Sequence, residues 1–220
     1  MKIILIRHGK TAGNLEGRYV GRTDEALCEA GREALAGRKL PRAKKLFVSP
    51  LLRCRETAEI LWPGRDQIAV PGLRECDFGD FEMKNYAELN GNADYQAWID
   101  SNGTLPFPGG ESQATFQARV CAAFEQVAEE LLKEKADFAA ESVVSAETTV
   151  SAENAASAEK SVPVAAFVVH GGTIMAVLSQ FGTPKSGYFD WQVKNGEGFV
   201  ADLANDNGKI VLREIEKICW

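Results

Sequence analysis

Histidine and cysteine, the residues that most often carry metal or nucleophilic chemistry, are scarce in this chain. Its 220 residues hold two histidines, His8 and His170, and five cysteines, Cys28, Cys54, Cys76, Cys121 and Cys219. Two histidines and no C-x-x-C pair leave no ligand cluster for zinc. An odd, scattered set of cysteines does not suit a disulfide framework and reads as the reduced thiols of a cytoplasmic protein. No apolar run is long enough to span a bilayer, so no membrane role is expected. The stretch before Arg7 is too short for a signal peptide. Positive charge is not in excess either. A net charge of -6 gives no reason to expect nucleic acid or an anionic membrane as partner. Locally the shortage is sharper, for no Lys or Arg occurs from Asn85 to Ala118.

What is present is an ordinary globular balance, 45% apolar and 25% charged, arranged as alternating strand-like and helix-like runs. Ile3 to Ile6 is a short, unbroken apolar run that suits a strand buried on both faces. The polar, glycine-bearing stretch 11–24 reads as a functional loop. The pattern predicts a helix over 29–39, a strand over 42–48, and a helix over 51–62 with Ser49 as N-cap and Pro50 in its first turn. It predicts a strand over 67–70, short helices within 86–99, and a turn at 106–110. A long helix over 113–133 follows, capped by Ser112. Then come a strand over 164–169, a helix over 173–181, and a closing hairpin of 199–203 and 209–215 around Asn205-Asp-Asn-Gly208. Such alternation predicts a three-layer α/β/α sandwich around a mostly parallel sheet, one domain over residues 1–220 with no dividing linker. One stretch stands apart: 136–161 is poor in large apolar residues and repeats Ser-Ala-Glu at 145–147, 151–153 and 157–159. That composition predicts a disordered or weakly helical surface insertion.

Chemistry gathers at the ends of two apolar runs. Ile3 to Ile6 leads into Arg7-His8-Gly9, and Val164 to Val169 leads into His170-Gly171-Gly172. Parallel strands put such ends on one edge of a sheet, and ligands of open α/β sheets bind beyond that edge. Gly9 would let backbone approach a ligand closely. With Arg53 from the helix after the second strand, two imidazoles and two guanidiniums would repel one another unless an anion sat among them. The planar fork of arginine suits phosphate oxygens. A histidine held there can attack phosphorus, and Glu75 can supply a proton to the leaving oxygen. Taken singly, Arg53 would be a solvated cation and Glu75 an ordinary loop acid; the order of the pieces favours the joint reading.

The pieces resemble a known family. Leu5-Ile-Arg-His-Gly-Lys-Thr11, with Asn14 and Gly21-Arg-Thr-Asp24, is similar to the signature of the histidine phosphatase superfamily, the phosphoglycerate mutase-like proteins. Ser49-Pro-Leu-Leu-Arg-Cys-Arg-Glu-Thr-Ala58 resembles its second motif and Leu73-Arg-Glu-Cys-Asp-Phe-Gly79 its acid-bearing stretch. Pro108-Gly-Gly-Glu-Ser112 resembles the turn of its phosphatase branch, and Val169-His-Gly-Gly172 the distal histidine. The resemblance implies a phosphoglycerate mutase-like fold and names His8, Glu75 and His170 as catalytic, with His8 the phosphorylated nucleophile and Glu75 the acid–base residue. It implies that Arg7, Asn14, Arg53, His170 and Gly171 bind the phosphoryl group. No metal and no cofactor are expected, because arginine and imidazolium groups take the charge that Mg²⁺ would otherwise carry. Two positions depart from the family. Ala26-Leu-Cys28 stands where Pro-Leu-Thr is usual, at a cost of roughly 1 kcal/mol for the lost N-cap. Met83 stands where glycine is usual, and is expected to reshape the substrate mouth.

Within the family, mutases hold a second anionic group and carry extra cations after the acid. The cation-free stretch 85–118, with Tyr86, Tyr95, Trp98 and Phe107, suits instead a monophosphate with an uncharged, stackable body. The expected partner is therefore a small phosphorylated metabolite and the expected activity a phosphatase. The Leu-Arg-Glu-x-Asp-Phe-Gly and Pro-Gly-Gly-Glu-Ser stretches resemble those of α-ribazole phosphatases of cobalamin synthesis, and broad-specificity phosphatases share them. A phosphoglycerate mutase and a non-catalytic phosphate-recognition module are the alternatives.

Overall fold

A computed structural model describes residues 1–146 and 164–218. Its centre is the strand β1 (Lys2–Arg7), where alternate residues bury on opposite sides. Ile3 and Leu5 join one apolar cluster, Ile4 and Ile6 another, so this strand needs a layer on each face. The other strands are β2 (Lys45–Val48), β3 (Gln67–Ala69), β4 (Val164–Val169), β5 (Gly198–Asp206) and β6 (Lys209–Ile218). Among the described residues they form a six-stranded sheet in the order β3-β2-β4-β1-β5-β6. Strands β1 to β4 run parallel to one another, while β5 adds antiparallel to β1 and β6 antiparallel to β5 at one edge.

The helices are α1 (Ala12–Leu15), α2 (Glu29–Glu33), α3 (Leu52–Leu61), α4 (Tyr86–Leu89), α5 (Ala93–Asp100), α6 (Gln113–Ala146) and α7 (Gly171–Phe181). On α6 the residues Phe116, Val120, Phe124, Val127 and Leu131 recur at helical spacing and bury against the Ile3/Leu5 face, beside Ile174, Leu178 and Phe181 of α7. Phe124 meets Phe167 of β4 with ring centroids 5.4 Å apart. Cys54, Ala58 and Leu61 of α3 cover the Ile4/Ile6 face together with Leu35. The result is the expected three-layer α/β/α sandwich with a mostly parallel sheet.

Register brings the two histidines together. Arg7 pairs with Val169, so the next residues, His8 and His170, leave the sheet side by side at its carboxyl edge. The His8 amide donates to the Val169 carbonyl at 2.9 Å.

Some elements differ from the sequence pattern. The helix expected over 29–39 ends at Glu33, after which hydrogen-bonded turns lead to Gly37 at φ +74. The helix expected to stop at Lys133 runs to Ala146, because Ala and Glu in that stretch are good helix formers whatever their hydrophobicity. The first part of the 136–161 segment thus continues α6, and the rest of it lies outside the described residues.

Candidate active site

The ring centroids of His8 and His170 lie 5.1 Å apart, edge to face, and both side chains are buried. His8 Nδ1 stands 2.6 Å from the Gly9 carbonyl oxygen. A carbonyl only accepts, so Nδ1 carries the proton and the neutral ring keeps its lone pair on Nε2. Burial, then the fields of Arg53 and Arg7, hold His8 well below the ordinary histidine range, against the opposing pull of the Gly9 carbonyl. The same burial and charges do this to His170. The imidazolium expected from the sequence is therefore a neutral imidazole in the unliganded site, and the standing positive charge belongs to the arginines. His170 Nε2 lies 2.7 Å from Ser49 Oγ. This revises the role read for Ser49: α3 starts at Leu52 with Leu51 as its N-cap, and the Ser49 hydroxyl serves the histidine instead. The first free amide of α3, at Leu52, donates to Asp24 Oδ1 at 2.6 Å.

Arg53 is wholly buried, and far from being a solvated cation it spans two segments. Its Nη1 donates to the Thr23 carbonyl at 2.7 Å and its Nη2 to that of Gly21 at 2.8 Å. Glu82 fixes the same loop, accepting from the Gly21 and Thr23 amides at 2.9 Å each. Gly21 is required there, since a Cβ would meet the Cys76 carbonyl oxygen at 2.1 Å. Arg7 donates through Nη1 to the Val193 carbonyl at 2.8 Å. The Nε atoms of Arg7 and Arg53 are both buried without a partner among the described residues. Buried cationic donors left unpaired are costly, and an anion seated between them would relieve that cost. Gly171 lies against Arg7, where even a Cβ would only make an ordinary contact, 3.4 Å from the Arg7 Cζ. It also opens α7, where helix N–H groups lack intrahelical acceptors and favour an anion.

Two residues that the sequence reading gave no role, Thr57 within the second motif and Asn195 outside every motif, complete this wall. Thr57 Oγ1 accepts from the Gly9 amide at 2.9 Å and donates to the Arg53 carbonyl at 2.7 Å, tying the His8–Gly9 turn to α3. Asn195 Nδ2 donates to the His8 carbonyl at 3.1 Å and to Asn14 Oδ1 at 3.0 Å. Asn14 Oδ1 also accepts from the Thr11 amide at 3.2 Å. With its oxygen engaged twice, Asn14 turns its amide donors the other way. A better sequence signal existed for Thr57, four residues after Arg53 and so on the same helix face, than for Asn195 in an Asn-Gly loop.

Glu75 closes the site. Its carboxyl accepts from the Cys76 amide at 3.0 Å and the Gly172 amide at 3.2 Å, and a Cβ on Gly172 would crowd it at 2.4 Å. Burial raises its pKa above the ordinary carboxylate value, more than those amides, Arg53 and Arg7 lower it. That is the direction a proton donor needs. The Pro108–Ser112 turn packs on the segment that follows the acid. Gly79 at φ +53 could not carry a Cβ, which would meet the Pro108 carbonyl oxygen at 2.0 Å, and the Glu111 amide donates to the Asp77 carbonyl at 2.9 Å.

Glu75 lines two cavities. One, of about 230 Å³, is walled by aromatic and apolar groups including Tyr19, Phe78, Trp98, Phe107, Tyr188 and Phe189. Of the four aromatics read from the sequence, Trp98 and Phe107 line it, Tyr95 is core, and Tyr86 is exposed. Met83 does not line it, contrary to expectation. It occupies φ +58, which explains why glycine suits that position. The other cavity, of about 200 Å³, is lined by Arg22, Arg74 and Arg119 with Asp77 and Glu111. The cation-free stretch 85–118 therefore describes only one side of the site. Among the described residues no three His, Cys, Asp or Glu side chains gather as they would around a metal ion.

Comparison with known proteins gives this arrangement a family. Residues 3–140 match the profile of the histidine phosphatase superfamily, branch 1, and the chain belongs to that superfamily, whose members are phosphatases or mutases. The adenosylcobalamin/alpha-ribazole phosphatase of Salmonella typhimurium is 35% identical over 129 residues, covering 54% of this chain and 63% of that protein. The chain thus spans less than two thirds of the length of this curated relative. Among solved structures, the alpha-ribazole phosphatase of Shigella flexneri shares the fold at a TM-score of 0.66 and 22% identity, over 97% of this chain and 95% of that one. The phosphoglycerate mutase of Thermus thermophilus is 26% identical with a TM-score of 0.60, over 100% and 99% of the two chains.

Proposed function

We propose that this chain is a metal-independent phosphomonoesterase that works through phosphorylated His8 on a small metabolite. The reading rests on one observation above the rest: His8 ties Nδ1–H to Gly9 and leaves Nε2 bare, beside the guanidiniums of Arg7 and Arg53, and its pKa is pushed down while that of the nearby Glu75 is raised. In the first step Nε2 attacks phosphorus, the ester P–O bond breaks, and Glu75 gives its proton to the departing alcohol. In the second, water attacks the phosphohistidine, Glu75 takes a proton back, and inorganic phosphate leaves with His8 neutral again. Arg7, Arg53, Asn14, His170 and the Gly171 amide hold the equatorial oxygens. The aromatic cavity beside Glu75 supports a flat, uncharged alcohol as leaving group, and a phosphate ester of α-ribazole, the compound in the name of the Salmonella phosphatase, is a substrate of that kind.

The test is hydrolysis of a panel of phosphate monoesters in the presence of EDTA. His8→Ala should abolish turnover and labelling by substrate phosphate. Glu75→Gln should lower kcat/KM, which reports the phosphorylation step, by roughly 10²–10⁴-fold for an unactivated alkyl ester and much less for p-nitrophenyl phosphate, since p-nitrophenolate needs no proton to leave; kcat falls for both wherever hydrolysis of the phosphohistidine, which Glu75 also serves, is limiting. Turnover by His8→Ala near wild type would remove the nucleophile from this reading.

The arginine-lined cavity favours a second reading, a phosphoglycerate mutase, because Arg22 and Arg74 could meet a second anionic group. Conversion of 3-phosphoglycerate in the presence of a bisphosphate primer, without release of phosphate, would decide for it.

A further inference from the structure

The motif Pro108-Gly-Gly-Glu-Ser112 is left without chemistry by the mechanism above, and so is Arg119, a cation beside the acid. The two meet. Arg119 of α6 donates to Glu111 through two nitrogens, Nε to Oε1 at 2.9 Å and Nη2 to Oε2 at 2.7 Å. Each side chain is about a quarter exposed, 25%, so this is a two-pronged, partly buried pair rather than a loose surface bridge. The same guanidinium also holds the backbone that carries Glu75. Nη1 donates to the carbonyls of Gly72 at 2.9 Å and Arg74 at 3.1 Å, and Nη2 to that of Glu75 at 3.2 Å. On the far side of Glu75, Glu111 Oε2 accepts from the Asp77 amide at 3.0 Å. Residues 72–77 are thus gripped before and after the acid by one ion pair. Arg119 also lies over the Phe116 ring, 5.3 Å from its centroid, and Phe116 lines the aromatic cavity with Glu75.

We propose that Glu111 and Arg119 are positioning residues for proton transfer: through the backbone of 72–77 they aim the Glu75 carboxyl at the leaving oxygen. They touch neither the phosphoryl seat nor His8. Their loss should therefore act on the proton-transfer step and leave anion binding alone. The proposal rests on Glu75 being the general acid, and its test is built to separate the two.

The variants are Arg119→Lys, which keeps the charge but loses the fork, and Glu111→Gln, which keeps the shape but loses the charge. Each should lower kcat/KM, which reports protonation of the leaving group and not the later hydrolysis of the phosphohistidine, about tenfold or more for an alkyl phosphate, the scale of loss for a misplaced catalytic group. Each should leave p-nitrophenyl phosphate nearly unaffected, with inhibition by inorganic phosphate unchanged. If Arg119→Lys does not fold, Glu111→Gln carries the test. The sharper readout is the double variant Glu75→Gln/Glu111→Gln. Once the acid is gone there is nothing left to aim, so the double variant should be no slower than Glu75→Gln alone, a non-additivity that a general loosening of the fold would not give. Additive losses, or equal losses on both substrates, overturn the positioning role while leaving Glu75 in place. A Glu75→Gln enzyme with no preference between the substrates overturns both readings at once.

Discussion

At the scale of single residues, the proposed chemistry depends on an environment that pushes two groups toward opposite protonation states. His8 is pushed down and Glu75 up, and each shift widens the range of pH over which the histidine is bare and the carboxyl carries a proton. The sign is fixed by these directions: kcat/KM rises with pH through the lowered pKa of His8 and falls with pH through the raised pKa of Glu75. Glu75→Gln should remove that alkaline fall. The substrate's own second ionisation, at about pH 6, is common to both enzymes and cancels in the ratio of wild type to variant. That ratio should be constant at low pH and decline as pH rises through the Glu75 titration; a ratio independent of pH would separate Glu75 from the alkaline limb. Arg7, His8, Arg53 and His170 were legible in the sequence because their types and order carry the chemistry. Asn195 and the true role of Ser49 were not, because a side chain that orients another by one hydrogen bond has no composition of its own.

At the scale of elements, β4 (Val164–Val169) was legible to the residue, since a β-branched run ending in His-Gly-Gly leaves little choice. Helix ends were less so. The end of α6 depended on propensity rather than amphipathicity, and the start of α3 on Asp24, twenty-eight residues away from the amide it caps. The start of α2 was read as poorly capped, and there the structure agrees: Cys28 sits at the N-cap in extended backbone without a side-chain hydrogen bond. A hydroxyl can accept from the amides of the first turn where a thiol does so weakly. Cys28→Ser should therefore stabilise the fold by up to about 1 kcal/mol, seen as a higher urea midpoint with unchanged m-value and unchanged activity. A lower midpoint would mean that the Cys28 side chain contributes packing that outweighs the cap.

At the scale of the whole molecule, the sheet concentrates like charge where folding alone gains least from it. Parallel register delivers Arg7 to the edge beside His170, α3 brings Arg53 in behind it, and burial strips Arg53 of water and the Arg7 Nε with it. Arg7 is held below the ordinary arginine range by that burial, with Arg53 adding to the effect and Glu75 opposing it. An anion that binds the folded chain and not the unfolded one should then stabilise the whole protein by mass action. At a concentration about 100-fold above Kd the gain is roughly 2.7 kcal/mol, which for a chain of this size corresponds to a rise in Tm of roughly 5–10 °C. Phosphate also stabilises proteins without binding, through exclusion from their surface, so the wild-type shift alone decides nothing. The comparison that does is Arg7→Met, which fills similar space without the charge. Exclusion acts on wild type and variant alike, whereas seating in the site needs the guanidinium. Differential scanning calorimetry with and without inorganic phosphate, at matched ionic strength, should therefore give a large shift for wild type and only the small exclusion effect for the variant. Without phosphate, Arg7→Met should lose less stability than a buried truncation usually costs, because removing a desolvated cation whose Nε has no partner offsets the lost hydrogen bond to Val193. A variant that keeps the full phosphate shift would take Arg7 out of the anion seat and leave Arg53 to hold it alone.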